Sequence, residues 1–431
     1  MSEENSSRYV SATKSSHSLG PESARWLHVI LLLVGIAAWM IFILACVGGP
    51  AWSPDSSQVL FAYRDIENSR TAVALYDRAT GAVSTILTQP AAKEGELALH
   101  PMWQNDGSRA LVAIYRVIPG GSSDGACELI SIPVKSSLPL QVFNLGFTDG
   151  CVFPFPQVNG KVYFAREDLR WVDLETGQVE SQDFKVTAKA SGPHEVVLSE
   201  HDGQIYYERR VARKANGAVN DEEGKEVGRL QIENVTFEPF FTLWTADFSA
   251  SGVEKTNLLF WPRGSGVAMI GLGEGSDSDK ILLAEENKGI VRVLAPDLGV
   301  RPYKLGNLVW SSDGRTLYAS AITIREQKDV LDYWLAEIPL DGRRARLTRI
   351  APLRSELNGE FQDMFQLSMS VSLSPDGRWI AATPAVLGRG TLDDRDRALF
   401  LIDLRDPGRP VQRVPIPRQP AAAGPTPKVQ Q

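Results

Sequence analysis

A short pattern recurs along most of this chain, and recurrence constrains a fold more tightly than any single motif. Trp52-Ser53-Pro54-Asp55-Ser56, Trp103-Gln104-Asn105-Asp106-Gly107, Trp310-Ser311-Ser312-Asp313-Gly314 and Leu373-Ser374-Pro375-Asp376-Gly377 share a bulky residue, a polar corner and an aspartate. Each leads into an apolar, β-prone run: Val59-Leu60-Phe61-Ala62, Ala110-Leu111-Val112-Ala113, Leu317-Tyr318-Ala319 and Trp379-Ile380-Ala381-Ala382. Physically this is strand, tight turn, strand. Proline presets φ at the first corner, the carboxylate hydrogen-bonds to nearby backbone, and glycine accepts the positive φ that returns the chain. The bulky residue three before the aspartate can pack beneath the turn. Looser copies occur at Val158-Asn159-Gly160 and His201-Asp202-Gly203, and a degenerate one is expected at Asp279, before Ile281-Leu282-Leu283.

A second signature trails the first, as in Leu75-Tyr76-Asp77-Arg78-Ala79-Thr80-Gly81 and Trp171-Val172-Asp173-Leu174-Glu175-Thr176-Gly177. Related forms are read at Trp244-Thr245-Ala246-Asp247 through Gly252, at Ile338-Pro339-Leu340-Asp341-Gly342 and at Leu401-Ile402-Asp403 through Gly408. Each reads as a strand entering a Gly-containing hairpin, so a unit holds two hairpins and four strands. Four-stranded sheets arranged radially leave only short edges exposed.

The Trp-Ser-Pro-Asp-Gly turn followed by an apolar strand, with Asp-x-x-Thr-Gly in the second hairpin, resembles the TolB-like, or WD-like, β-propeller repeat. The resemblance covers nearly all of residues 50–415 and implies an all-β fold: one propeller of seven four-stranded blades, six or eight being the alternatives. The blades are expected to centre on Asp55, Asp106, Asn159, Asp202, Asp279, Asp313 and Asp376. Departures are Ser56 where glycine is usual, an insertion in the fourth blade around Ala212 to Glu233, and a fifth blade without the aromatic. Within that insertion, Asn220 to Glu226 reads as a solvated loop.

Ahead of the repeats, Trp26 to Val47 contains no charged side chain. At about 1.5 Å per residue this run reaches roughly 33 Å, against about 30 Å of bilayer hydrocarbon. A transmembrane α-helix over 26–47 is therefore expected, with Trp26 and Arg25 as an interfacial anchor and Gly48-Gly49-Pro50 ending it. Arg8, Lys14 and Arg25 precede the run and no Lys or Arg follows before Arg64, so the positive-inside rule keeps residues 1–25 cytoplasmic and places the repeats outside the cytoplasm. Ile43-Leu44-Ala45-Cys46 resembles a bacterial lipobox, so cleavage before Cys46 and its lipidation is the alternative tether. Residues 1–25 and the Pro/Ala-rich tail 416–431 are expected to be disordered.

The formal net charge of −7 and a pI near 5.5 argue against a nucleic-acid partner, which would ask for a basic stripe. Cys127 and Cys151 both fall in the part assigned to an oxidising compartment, where a disulfide between them is one reading and two separate buried thiols the other.

Motifs of chemistry are sparse. His194-Glu195 and His201 lie too far apart for a shared helical face of zinc ligands. Gly271 to Gly275 lacks a strand-to-helix setting for phosphate, and Ser276 to Asp279 reads as a hairpin turn rather than a calcium loop. No metal or cofactor is expected and no catalytic residue is assigned. The expected function is that of a membrane-tethered binding or scaffolding module, with a protein or envelope polymer held on one propeller face. The alternative is a polymer-cleaving lyase or hydrolase with its site at the axial end; there His100 and His194 are the candidates, and both read more simply as structural histidines.

Overall fold

The computed structural model describes residues 49–65, 70–90, 97–116, 127–134, 140–145, 155–165, 168–184, 196–214, 221–250, 253, 255–264, 266–272, 278–299, 303–324, 330–354, 369–384 and 398–416. The expected transmembrane run Trp26–Val47, with Cys46 in it, lies outside the described residues, as do Cys151, His194 and the tail from 417 onward. Among the described residues no helix is long and apolar enough to cross a membrane.

The described strands form seven antiparallel sheets of four, each built from strands consecutive in sequence. Blade 1 holds β1 (Ala51–Trp52), β2 (Gln58–Asp65), β3 (Arg70–Asp77) and β4 (Val83–Pro90). Blade 2 holds β5 (Leu97–Trp103), β6 (Arg109–Arg116), β7 (Cys127–Pro133) and β8 (Gln141–Asn144). Blade 3 holds β9 (Gln157–Val158), β10 (Lys161–Ala165), β11 (Asp168–Asp173) and β12 (Val179–Asp183). In blade 4 these are β13 (Val196–His201), β14 (Gln204–Lys214), β15 (Asp221–Gln231) and β16 (Thr236–Trp244), followed by helix α1 (Thr245–Ala250). Blade 5 contains β17 (Lys255–Arg263), β18 (Gly266–Leu272), β19 (Lys280–Glu285) and β20 (Gly289–Leu294). Blade 6 contains β21 (Tyr303–Trp310), β22 (Thr316–Ile324), β23 (Val330–Pro339) and β24 (Arg346–Arg354). Blade 7 ends the ring with β25 (Met369–Leu373), β26 (Trp379–Pro384), β27 (Ala398–Asp403) and β28 (Val411–Pro415). The fold is a seven-bladed β-propeller.

The core lies between blades. Ala110, Val112 and Ile114 of β6 pack with Leu60, Val73 and Leu75 of blade 1, whereas Leu111 and Ala113 pack with Phe155, Val162 and Phe164 of blade 3. A strand buried on both faces must be apolar at every position, which is why these runs show no polar alternation. First strands of neighbouring blades approach one another, as β21 and β25 or β13 and β17 do, and form the inner wall. Fourth strands such as β12 are largely exposed and form the rim.

The turn signature joins blades as well as strands. The indole N–H of Trp103 donates to the Ala51 carbonyl at 3.0 Å, that of Trp310 to Trp261 at 3.0 Å, and that of Trp52 to Ser372 at 3.2 Å. Each thereby reaches the first strand of the preceding blade, and Trp52 does so across the seam between blades 1 and 7. At that seam the Asp376 N–H donates to Ser56 Oγ at 3.1 Å, Gln412 Nε2 to the Tyr76 hydroxyl at 3.2 Å, and the Arg78 guanidinium stands 4.7 Å from the Trp379 ring centroid. Among the described strands none is exchanged between the two blades: β1 pairs within blade 1 and β28 within blade 7.

Three expectations are corrected. Asp279 does not mark the turn between the first two strands of blade 5. That turn runs from Arg263 to Gly266, while Asp279 precedes the third strand, so Ile281 to Leu283 belong to β19. That turn lacks the recurring aspartate but keeps a glycine, Gly264, at a φ of 56°, and Arg263 reaches onward from it, donating to the Ser311 and Ser312 carbonyls of blade 6 at 2.9 Å each. Thr245 to Ala250 is a short helix rather than a hairpin, with the Asp247 carboxylate accepting the Trp244 N–H at 2.7 Å. The supposed solvated loop holds strand residues from Asp221 to Glu226, and among them Lys225 and Glu226 pair with Glu208 and Arg209 of β14.

Candidate functional surfaces

Sequential antiparallel strands give the ring two unlike ends. Turns between first and second strands, and between third and fourth, share one end, here the turn end. Hairpins between second and third strands, and the links from blade to blade, share the other, the loop end.

The turn end carries Asp55, Asp106, Asp313 and Asp376, the residues singled out in the sequence, and the structure spends their carboxylates on the turns themselves. Ser53 Oγ donates to Asp55 at 2.6 Å and accepts the Gln58 N–H at 2.9 Å; Ser311 serves Asp313 and Thr316 in the same way at 2.7 and 3.0 Å. Ser374 repeats this with Asp376 and Trp379. The backbone N–H of Ser108 holds the Asp106 carboxyl below the usual range, and that of Arg315, helped by the Ser311 hydroxyl, does so for Asp313. In the second signature, Thr80 N–H lowers Asp77 and Thr176 N–H lowers Asp173. The looser copies are two-residue hairpins with positive φ at both positions: 51° and 73° at Asn159-Gly160, 52° and 72° at Asp202-Gly203. That is the primed turn which Asn-Gly and Asp-Gly favour.

The histidines do not converge. His100, on the first strand of blade 2, sets its ring edge-on to Phe155 of blade 3 with centroids 6.2 Å apart; its Nδ1 is buried, and burial pushes the imidazole down to about 4. His201 sits at the opposite end of its strand from the loop hairpins, 3.2 Å from exposed Asp202. Among the described residues no group of three or more His, Cys, Asp or Glu is placed to hold a metal ion.

Buried charge is instead found in blades 4 to 6. Lys225 Nζ lies 2.7 Å from Glu208, and Arg209 2.7 Å from Glu226, which also accepts the Tyr207 hydroxyl at 2.7 Å. Lys304 approaches buried Asp279 at 3.2 Å, and Asp279 takes the Leu305 N–H at 2.8 Å. Arg349 meets buried Asp332 at 2.7 Å. Burial raises the Glu208 carboxyl against the pull of Lys225, and its Oε2 has no hydrogen-bond partner among the described residues. The signal that could have located Glu208 was weak: a Tyr206-Tyr207-Glu208-Arg209 stretch that keeps a charged pair where both faces of a strand are covered.

The rim offers a different chemistry. Leu140 beside β8 is 49% exposed, Val142 on it 54%, Val179 on β12 42%, and Val291 and Val293 on β20 44% and 39%. The valines stand on fourth strands, whose outer edges pair with no other described strand. Cys127, at the head of β7, is fully buried and disulfide-bonded; the chain's other cysteines, Cys46 and Cys151, are outside the described residues.

No family model matches the chain, and no curated protein matches it. Among solved structures it is similar to an oligogalacturonate lyase from Vibrio parahaemolyticus, with 11% identity over 83% of this chain and 84% of that one and a TM-score of 0.46. It is likewise similar to the β-propeller domain of the Trilobed protease from Pyrococcus furiosus, with 11% identity over 87% of this chain and 99% of that one and a TM-score of 0.46. Similarity to TolB from Acinetobacter baumannii is at 16% identity over 70% of this chain and 53% of that one, with a TM-score of 0.32. Against a prolyl endopeptidase the identity is 12% and the TM-score 0.43, and the chain, matched over 79% of its own length, spans 47% of that protein. The propeller is established by the chain's own seven four-stranded sheets.

Proposed function

We propose that the chain is a membrane-tethered, extracytoplasmic propeller that serves as a protein-binding or scaffolding module. The observation that carries this reading is the rim: Val142 on β8 and Val179 on β12, with Leu140 beside β8, present apolar side chains at the outer edges of adjacent blades. An unpaired strand edge with exposed β-branched residues is a template for pairing with an extended segment of another chain. The tether is supported by the apolar run Trp26–Val47, and the compartment by the disulfide at Cys127, a bond that persists in oxidising surroundings. The alternative, a polymer-cleaving enzyme, draws on Glu208, whose carboxyl is raised by burial and whose buried Oε2 has no hydrogen-bond partner among the described residues, a perturbation that catalytic acids share.

The two readings separate in one experiment on the full-length protein in detergent. Capture from envelope extract is expected to retain a defined protein, and Val142→Lys with Val179→Lys to reduce that retention about tenfold, the loss of roughly 1.4 kcal/mol. Unchanged retention, together with degradation of a polysaccharide or peptide that Glu208→Gln abolishes, would establish the enzyme instead.

A further inference from the structure

Blades 6 and 7 meet at the turn end over a row of side chains in cross-strand register. Tyr318 on β22 stands opposite Glu337 on β23, and Glu337 opposite Arg346 on β24, so all three share one face of blade 6. That face is turned to blade 7, because Tyr318 packs with Val371, Ile380 and Phe400. Two groups from the β27–β28 turn cross over to the row: the Pro407 carbonyl accepts from Arg346, and Arg409 Nη2 donates to Glu337 at 3.0 Å. The turn holds Arg409 at a φ of 49°, a left-handed conformation that disfavours any residue with a Cβ. The Arg409 side chain is 10% exposed, and its Nε and Nη1 are buried with no hydrogen-bond partner among the described residues. Neighbouring aspartates are engaged elsewhere: Asp406 takes the Gly408 N–H at 2.7 Å and Asp403 the Arg378 guanidinium at 2.6 Å. An orphaned donor on a buried cation calls for an acceptor.

We propose that the cleft between blades 6 and 7 binds a carboxylate, gripped by Arg409 with Arg346 beside it. The site stands apart from the rim and from the tether. Its geometry is that of the guanidinium fork, in which Nη2 carries two hydrogens and Glu337 takes one of them. Whichever edge Glu337 leaves open pairs the second Nη2 hydrogen with an orphaned nitrogen, the bidentate match for a carboxylate. The charges agree. Arg346 and Arg409 against Glu337 leave the cluster one positive charge in excess, which one carboxylate cancels, whereas a phosphate dianion would leave a negative charge unbalanced beside Glu337. Tyr318 adds no charge of its own, since burial and Glu337 raise its phenol against the pull of Arg409. At the adjoining turn Asp313 and Arg315 offset each other. Glu337 is 24% exposed, so the cleft is open to solvent on its side.

The test is calorimetric titration of the full-length protein in detergent with acetate, with a capped tripeptide carrying a central glutamate, and with inorganic phosphate, all at one ionic strength. Acetate or the glutamate peptide is expected to bind saturably and more tightly than phosphate, and the tighter of those two tells whether the carboxylate belongs to a free acid or to a polypeptide. Arg409→Lys keeps the charge and loses the fork, and should weaken binding about tenfold. Exposed Arg346→Gln, which leaves the buried guanidinium in place, should weaken it several-fold. Glu337→Gln should tighten it several-fold, a gain that a purely structural Arg409 does not produce. Heats that never saturate, tighter binding of phosphate, or an affinity that neither Arg346→Gln nor Glu337→Gln moves would overturn the proposal.

Discussion

At neutral pH the His100 imidazole is uncharged, because protonating it against Phe155 costs more than protonating it in water. Its pKa is about 4 in the fold and about 6.5 in an unfolded chain, so between those values the unfolded state binds the extra proton. Stability from this residue is complete above pH 6.5 and is lost as pH falls toward 4, by about 3 kcal/mol at the lower limit. The turn aspartates act in a lower window. Asp77, Asp106, Asp173 and Asp313 are all held below 3.8, so their contribution persists above that value and is lost only below it. Denaturation followed against pH should show two acid limbs, and His100→Phe should remove the upper one alone. Glycines supply a second prediction. Gly81 and Gly314 both have φ of 70°, but a Cβ on Gly81 meets nothing within 4 Å whereas one on Gly314 meets the Arg263 guanidinium at 2.3 Å. Gly81→Ala should cost the left-handed strain alone, about 1 kcal/mol, and Gly314→Ala distinctly more, read from denaturant midpoints.

At the scale of elements, the turn is the unit that ties blade to blade. Trp103→Phe removes the donor to Ala51 and leaves a carbonyl at the inner wall without its partner, which should cost about 1 to 3 kcal/mol. The β14–β15 hairpin makes a contrasting case. Glu226→Ala would strand the Arg209 guanidinium, whose side chain is 9% exposed, and a broken buried pair costs about 3 to 5 kcal/mol. Amide exchange should correspondingly find Lys225 and Glu226 protected within their strand. These two elements also show which parts of the fold a sequence makes legible. The Ser-x-Asp turns are held by bonds between residues at most five apart, so their pattern survives in the primary structure. Blade 5 hides its first turn because Arg263 is held by bonds to residues some fifty positions on, and β15 hides its strand because Lys225 pairs with Glu208. A local reading sees glycine and charge at these places and not the partners that decide their conformation. The candidate surfaces were less legible for the same reason: burial of Glu208, and exposure of Val142 and Val179, are properties of neighbours.

For the whole molecule, the disulfide offers the most direct check on compartment and chain path. Peptide mapping of unreduced protein should join Cys127 to Cys151, the pairing anticipated from the sequence. Closing that 24-residue span should stabilise the folded state by roughly 3 kcal/mol, seen as a lower melting temperature on reduction. Among the described strands none crosses between the first and last blades. The contact there is of the same kind as elsewhere: Ser56 abuts the Asp376 turn as Gly107 abuts Pro54 and as Gly377 abuts Ser312. Topologically such a ring has no privileged joint. Its two ends emerge on one side, so the polypeptide could be spliced there by a short peptide and cut afresh between β24 and β25. A circular permutant of that kind would keep all seven sheets whole, and the order in which ribosomes deliver the blades is, for this architecture, a matter of convenience.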